Sequence, residues 1–337
     1  MDYIEIVLSS DDNYAKYCAT TMISILENTK SRIRFHIFDG GIKDYHKNKL
    51  LKFENNYNCK IVFYSMDKVD LSDFPLNREW ISIATYYRLF ITDILADDIE
   101  KVIYLDCDVI VNKDILELWK YDISEYLAGA VEDENSIKNH KRLKLSDTHM
   151  YFNAGVLLFN LAKLRAFDFK NKSFEYLKNN INKIEMQDQD ILNGILENRC
   201  LKLPLIFNTN TTMFYPYYKN KHYYTEREAK EALKNNVIIH YTGSFKPWLR
   251  PELEQSDYFW KYARLSYFYE EIILSSTISD IAIRTIIKNV HNIHFNYLKY
   301  FKYKFLYFIT LGNKKRKFKD KSRIYRLKIK DFKKTMG

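Results

Sequence analysis

Ten consecutive residues, Val102-Ile103-Tyr104-Leu105-Asp106-Cys107-Asp108-Val109-Ile110-Val111, limit the possible folds more than any other segment of the chain. Their apolar halves read as strands buried on both faces, the kind that helix-covered parallel sheets require. Two carboxylates interrupt the run, and a charge inside a buried strand is costly unless something pairs with it. Side chains two apart on a strand point to one side, so Asp106 and Asp108 are expected to face a single cation. Carboxylate oxygens suit magnesium or manganese. A bare D-x-D triplet is also common by chance, and a solvated strand end is the plain alternative.

The surrounding pattern supports an α/β class. Ile4–Ser10 reads as a strand, and Asp11-Asp12-Asn13 supplies cap-type residues for a helix from Tyr14 to about Asn28. Arg34–Phe38 and Lys60–Tyr64 read as further strands, separated by a charged helix over about 43–55. A helix over Ala84–Leu95 is expected to lead into Lys101–Leu105, and apolar runs recur at Leu127–Val131, Ala154–Phe159 and Val237–Ile239. Such alternation predicts a largely parallel sheet flanked by helices.

Composition narrows the function. The dinucleotide turn G-x-G-x-x-G and the phosphate loop G-x-x-x-x-G-K-[ST] are both absent, and eight glycines leave little room for either. The four cysteines, Cys18, Cys59, Cys107 and Cys200, form no C-x-x-C pair, so neither a zinc site nor a disulfide framework is indicated. The opening Met-Asp-Tyr-Ile-Glu lacks a basic segment followed by an apolar one, and no run approaches the roughly 18 apolar residues of a spanning helix. A cytoplasmic location is therefore expected. The formal charge of +10 is unevenly spread: from Lys288 onward sixteen lysines and arginines face two acids, a net of +14, which leaves −4 for residues 1–287.

Four further motifs carry candidate chemistry. Ile238–Trp248 contains His240 at a strand end, Gly243, and Lys246 as a point charge suited to phosphate. An imidazole joining two carboxylates favours manganese over magnesium. The others are Tyr151-Phe152-Asn153-Ala154-Gly155, Gln187-Asp188-Gln189-Asp190 before an apolar helical run, and Thr85-Tyr86-Tyr87-Arg88-Leu89. Read singly, these are a satisfied buried histidine, helix caps and an ordinary amphipathic helix with a surface arginine.

In this order the motifs, together with Asp11–Tyr14 and Phe74-Pro75-Leu76-Asn77, resemble retaining glycosyltransferases of family 8. The likeness is greatest to bacterial α-galactosyltransferases of lipooligosaccharide and lipopolysaccharide core, and it runs from residue 3 to about 250. It implies a GT-A fold, a Rossmann-like nucleotide-binding mixed sheet, over residues 1–260. Asp11, Asp12, Asn13, Tyr14, Ala15 and Lys16 then match the uridine and ribose site, at a strand's carboxyl end where open α/β sheets bind ligands. Asp106, Asp108 and His240 match the ligands of Mn2+. Gly243, Ser244, Phe245, Lys246, Pro247 and Trp248 resemble the diphosphate loop, and Cys107 and Ala154 fall within donor-binding motifs. Arg88, Asp133, Asn153, Asp188 and Gln189 match positions facing the donor sugar, with Arg88, Asp188, Gln189 and Lys246 as the catalytic set. The implied donor is UDP-galactose or UDP-glucose, and the implied acceptor a lipooligosaccharide or lipopolysaccharide core glycan, with a protein or a wall polymer as the alternative acceptor. Trp80 and Thr242 depart from the pattern of the nearest galactosyltransferases, which carry histidine and cysteine there, so acceptor and linkage are not carried over.

The resemblance fades after Pro251. Residues 261–337 read as a basic, aromatic, helical extension, exemplified by Lys299–Phe308 and Lys314-Lys315-Arg316-Lys317. It would lie well on the anionic cytoplasmic face of an inner membrane, at about 1 kcal/mol per basic residue. A nucleic-acid reading of this tail leaves Asp106, Asp108 and His240 unexplained, and the acidic body would repel phosphates; no nucleic-acid partner is expected.

Overall fold

A computed structural model describes residues 3–72, 74–76, 82–133, 136–210, 213, 224–243, 246–278, 299–302, 304–305 and 322. A seven-stranded sheet runs in the order β3-β2-β1-β4-β7-β6-β8. Its strands are β1 Ile4–Ser10, β2 Ile33–Asp39, β3 Cys59–Ser65, β4 Lys101–Leu105, β6 Ala128–Glu132, β7 Phe152–Asn160 and β8 Cys200–Lys202. A second sheet has the order β5-β10-β9, from Val109–Val111, Ile238–His240 and Thr209–Asn210.

The large sheet is mixed rather than largely parallel. β3, β2, β1 and β4 are parallel, but β7 enters antiparallel between β4 and β6. Alternation along the strands sorts the core onto two faces. Leu8, Leu105 and Val156 pack with Ala15, Cys18 and Met22 of α1 (Ala15–Asn28). Val7, Tyr104 and Leu157 pack on the other face with Ile191 and Leu192 of the helix Gln187–Ile195. Each fully buried aliphatic side chain of this kind contributes about 2 kcal/mol.

α1 also explains how the acidic segment is held. Thr21, wholly buried, donates its hydroxyl to the carbonyls of Cys107 (3.1 Å) and Val109 (2.8 Å). The Ser24 hydroxyl accepts from the Val111 N–H at 3.0 Å, and the Asn28 amide donates to the Val111 carbonyl at 3.0 Å. Polar residues on a buried helix face thus satisfy the backbone where the chain leaves one sheet for the other.

Three local expectations change. Ile83–Phe90 is a 3-10 helix, followed by a single α turn at Ile91–Ile94, where one α-helix over Ala84–Leu95 was expected. Apolar spacing does not separate the two periods over so short a segment, and Arg88 Nε bonding the Thr85 carbonyl at 2.9 Å holds the tighter turn. The charged helix breaks at Lys52 into Asp44–Leu51 and Phe53–Asn56. Asp106 and Asp108 lie in a turn rather than on a strand, so strand alternation is not what brings them together.

The chain divides into a compact unit of Met1–Ile272 and a second of Ile273–Gly337. The first therefore includes the helix Ser256–Ala263 and the residues that follow it to Ile272. Among the described residues no helix is long and apolar enough to cross a membrane.

Candidate active site

The carboxyl ends of β1 and β4 open into a cleft lined by residues from both sheets. On one wall, a metal-ligating atom from each of Asp106, Asp108 and His240 lies within 4.8 Å of the others. His240 ends β10, opposite Val109, and its Nε2 is 3.2 Å from Asp108 Oδ1 and 3.8 Å from Asp106 Oδ2. Asp108 Oδ1 is buried and makes no hydrogen bond. A buried carboxylate oxygen without a donor, two carboxylates and one imidazole make a donor set that fits a divalent cation. Lys246, buried beside Trp248, donates to Asp108 and to the Tyr241 carbonyl (2.7 Å). Burial alone would raise the Asp108 pKa, yet the Lys246 ammonium overcomes that cost and holds it well below the usual carboxylate range.

Arg88 joins this wall to the next. Far from being a surface residue, it is 2% exposed and stacks its guanidinium over Tyr104 at 4.1 Å. Nη2 donates to Asp106 at 2.7 Å, Nε lies 3.1 Å from Asp188 Oδ2, and Nη1 donates to the Ala154 carbonyl. The two carboxylates raise the Arg88 pKa against the opposing effect of burial, so it stays charged. Asp188 also accepts from the Thr85 hydroxyl at 2.5 Å. Burial pushes its pKa up to about 6, with Arg88 and Thr85 pulling the other way.

The wall beside it is built from amides. Gln189 Oε1 accepts from the Ala154 N–H (3.1 Å) and the Asn153 amide (3.2 Å), while its Nε2 donates to Asp133 (3.3 Å) and to the Tyr151 hydroxyl (3.2 Å). Asp190, fully buried, is occupied by Arg142, Tyr151 and the N–H groups of Glu185 and Met186. Asp188 and Gln189 are therefore cleft residues and not helix caps. Gly155 is required here: a Cβ would lie 2.1 Å from His240 Cε1 and 2.8 Å from Asp106 Oδ2.

At the mouth, Asp11 accepts from the Tyr14 N–H and from the Ser82 hydroxyl, each at 2.9 Å. Asp11 and Tyr14 line the cleft together with Cys107, Asn153, Ala154, Thr242 and Gly243. The other matched residues lie elsewhere. Asp12 turns to the Lys43 ammonium (2.9 Å) and N–H (3.0 Å) and to His46 (2.6 Å), which hold its pKa at about 2 against burial. Asn13 is exposed, Ala15 is buried in the core, and Lys16 is half-buried. Asp133 reaches the cleft through Gln189, and Trp248 stacks on Tyr17 with ring centroids 3.8 Å apart. Pro247 is buried, and Ser244, Phe245 and Trp80 lie outside the described residues.

Three features of the cleft and the layer behind it escape a reading of residue types. Ser82 and Asn208 carry no motif signal, and only their positions before the 3-10 helix and before β9 mark them. Tyr151, inside a candidate motif, turns out to bridge Gln189 and Asp190.

The model of the family described as Glycosyl transferase family 8 matches residues 5–252. The crystal structure of the galactosyltransferase LgtC in complex with donor and acceptor sugar analogs is 31% identical, with a TM-score of 0.70, covering 78% of this chain and 96% of that one. A lipopolysaccharide 1,3-galactosyltransferase of Salmonella typhimurium is 28% identical over 73% of each chain. A lipopolysaccharide 1,2-glucosyltransferase of Escherichia coli is 27% identical over 77% of each. The mixed sheet matches the GT-A-like architecture of the LgtC structure. With a family match over most of its length, the chain belongs to glycosyltransferase family 8, a family of retaining hexosyltransferases.

Proposed function

We propose that the enzyme transfers a hexose, galactose in preference to glucose, from its UDP donor to a lipooligosaccharide or lipopolysaccharide core glycan, with manganese, forming an α linkage. The observation that carries this reading is a single cleft shared by Asp106, Asp108, His240 and Lys246 with Arg88, Asn153, Asp188 and Gln189. The lipopolysaccharide galactosyltransferase and glucosyltransferase relatives support the substrate class. The likeness to the LgtC galactosyltransferase favours galactose.

A divalent cation held by Asp106, Asp108 and His240 would act as a Lewis acid against the charge of a departing diphosphate. Lys246 adds a second positive charge on that side. Asp188, kept ionised above pH of about 6, stabilises oxocarbenium character on the sugar. A double displacement needs a carboxylate nucleophile beneath the ring. Gln189 is an amide locked by four hydrogen-bond partners, which suits positioning. The acceptor hydroxyl therefore attacks on the face from which UDP leaves. Its oxygen bonds the anomeric carbon as the bond to UDP breaks, and its proton passes to the departing phosphate oxygen. The basic region 261–337 holds the enzyme on an anionic membrane surface beside its acceptor.

UDP release in manganese, from UDP-galactose or UDP-glucose, with and without delipidated lipooligosaccharide, tests the reading. Acceptor-stimulated release from UDP-galactose is expected. Faster release from UDP-glucose would reassign the donor, and no release from either would overturn the proposal. A sugar adduct trapped on Gln189 or Asp188 would exclude the same-face route. Liposome flotation of the protein truncated after residue 285 is expected to show lost binding; undiminished binding would remove the membrane role of the tail.

A further inference from the structure

We infer that Asn208 is a positioning residue: it selects the tautomer of His240 that presents a lone pair to the cation site, and it ties that choice to the amides around the sugar. The inference rests on the reading of Asp106, Asp108 and His240 as cation ligands.

Asn208 follows the turn Leu205–Phe207, directly precedes β9 and is 4% exposed. Both ends of its side chain are engaged. Its Oδ1 lies 2.9 Å from His240 Nδ1, and its Nδ2 lies 2.9 Å from Asn153 Oδ1. Heavy-atom positions alone do not decide which end of an amide is oxygen, but the donors around it do. The Gly155 N–H meets Asn153 Oδ1 at 3.0 Å, and a backbone N–H only donates, so that atom is oxygen. The end of Asn208 facing it must be the NH2 group. The Asn208 oxygen therefore faces His240, and Nδ1 carries the ring hydrogen. In the neutral imidazole Nε2 is then left with its lone pair. Nε2 is the atom 3.2 Å from Asp108 Oδ1 and 3.8 Å from Asp106 Oδ2.

A lone pair facing carboxylate oxygens is an unfavourable arrangement that a cation between them reverses. It also accounts for the buried Asp108 Oδ1 making no hydrogen bond despite an imidazole nitrogen nearby. The same logic runs the other way along the network. The Ala154 N–H identifies Gln189 Oε1 as oxygen, so the NH2 of Asn153 faces it and the NH2 of Gln189 faces Asp133 and Tyr151. Two consecutive backbone N–H groups of β7 thus set the polarity of a relay running from His240 through Asn208, Asn153 and Gln189 to Tyr151 and Asp190.

Multiple-bond proton–nitrogen spectra of metal-free, 15N-histidine-labelled full-length protein read the tautomer directly, with the His240 signal assigned by its loss in His240→Gln. The wild type is expected to carry hydrogen on Nδ1. Asn208→Leu removes the acceptor: the Nε2-protonated form should appear, and Mn2+ affinity by electron paramagnetic resonance titration should fall about 10–100-fold. Asn208→Asp keeps an acceptor for Nδ1 but places oxygen against Asn153 Oδ1. It should retain tautomer and Mn2+ affinity while the KM for UDP-galactose rises. An Nε2-protonated majority in the wild type would overturn the inference, as would Asn208→Leu with unchanged tautomer and unchanged Mn2+ affinity. A wild type that binds no Mn2+ would remove the cation reading, while the tautomer spectra still decide the role of Asn208. Asn208→Ser, smaller and polar, repeats the spectra if Asn208→Leu fails to fold.

Discussion

The two walls of the cleft are built on different physical principles. Asp106, Asp108, Lys246 and Arg88 hold one wall by attraction between formal charges. Asn153, Asn208 and Gln189 hold the other by neutral amides whose orientation is dictated by backbone N–H groups. A lysine on a flexible stem can exchange one counter-ion for another, and the diphosphate role proposed for Lys246 would use that freedom. Amides locked in a polarised chain cannot exchange partners without inverting the chain. In the proposed reaction the charged wall would receive the cation and diphosphate, and the amide wall would hold the sugar ring in one pose. Asp188 stands between them, paired with Arg88 yet buried enough to titrate near neutrality.

Substitutions separate the two walls. The largest effect is expected from Asp108→Asn, which removes a formal charge from the wall proposed to receive the cation. Steady-state UDP release should fall on the order of 10³-fold, with loss of the Mn2+ resonance titration. Turnover within tenfold of wild type would show that the charged wall is dispensable. Next is Arg88→Met, which leaves Asp106 and the buried Asp188 without their shared cation. Urea denaturation should report a loss of about 3–5 kcal/mol, and an unchanged midpoint would break the account of Arg88 as the link between walls.

Gly155→Ala should keep its far-UV circular dichroism while UDP release drops about 100-fold, because the new methyl displaces His240 on a rigid strand. Wild-type activity here would mean that the two walls move independently. The smallest effect is in pH dependence. The role proposed for Asp188 requires an ionised carboxyl, so kcat/KM should fall as pH drops through about 6. Thr85→Val, which deletes a hydrogen bond to the charged form, should move that limb upward, and a limb left in place would take Asp188 out of the profile. The linkage to stability has the opposite sign. With the folded-state pKa above 3.8, this group favours folding below about 4, and the advantage is lost as pH rises through about 6.

The charged wall was largely legible in the sequence, and the amide wall only in part. Asp106, Asp108 and His240 stand out because acids and imidazoles at the ends of apolar strands violate local pattern, and such violations point to function. Arg88 was legible as part of a motif but not as a buried residue, since nothing in Thr85–Leu89 tells which face of a short helix turns inward. Asn208 was not legible. It breaks no pattern in Leu205-Ile206-Phe207-Asn208-Thr209, and its significance comes from a strand register that sets Asn210 beside His240. The antiparallel entry of β7 was hidden for a similar reason: a strand buried on both faces is apolar throughout in either direction.

One feature of the fold reaches beyond catalysis. Asp106 follows the last residue of a strand in the large sheet, and His240 is the last residue of a strand in the small one. A cation bound between them, as proposed above, would act as a rivet across two sheets that are also joined by the turn at Asp106–Asp108, by the helix α1 and by the hydrogen bond from Asn208 to Asn153. At a concentration 100 times its dissociation constant, such a rivet adds about 2.7 kcal/mol to folding. Proteolysis of the enzyme in a cell should therefore slow as divalent metal becomes plentiful, so that the abundance of the transferase follows the supply of the ion it needs.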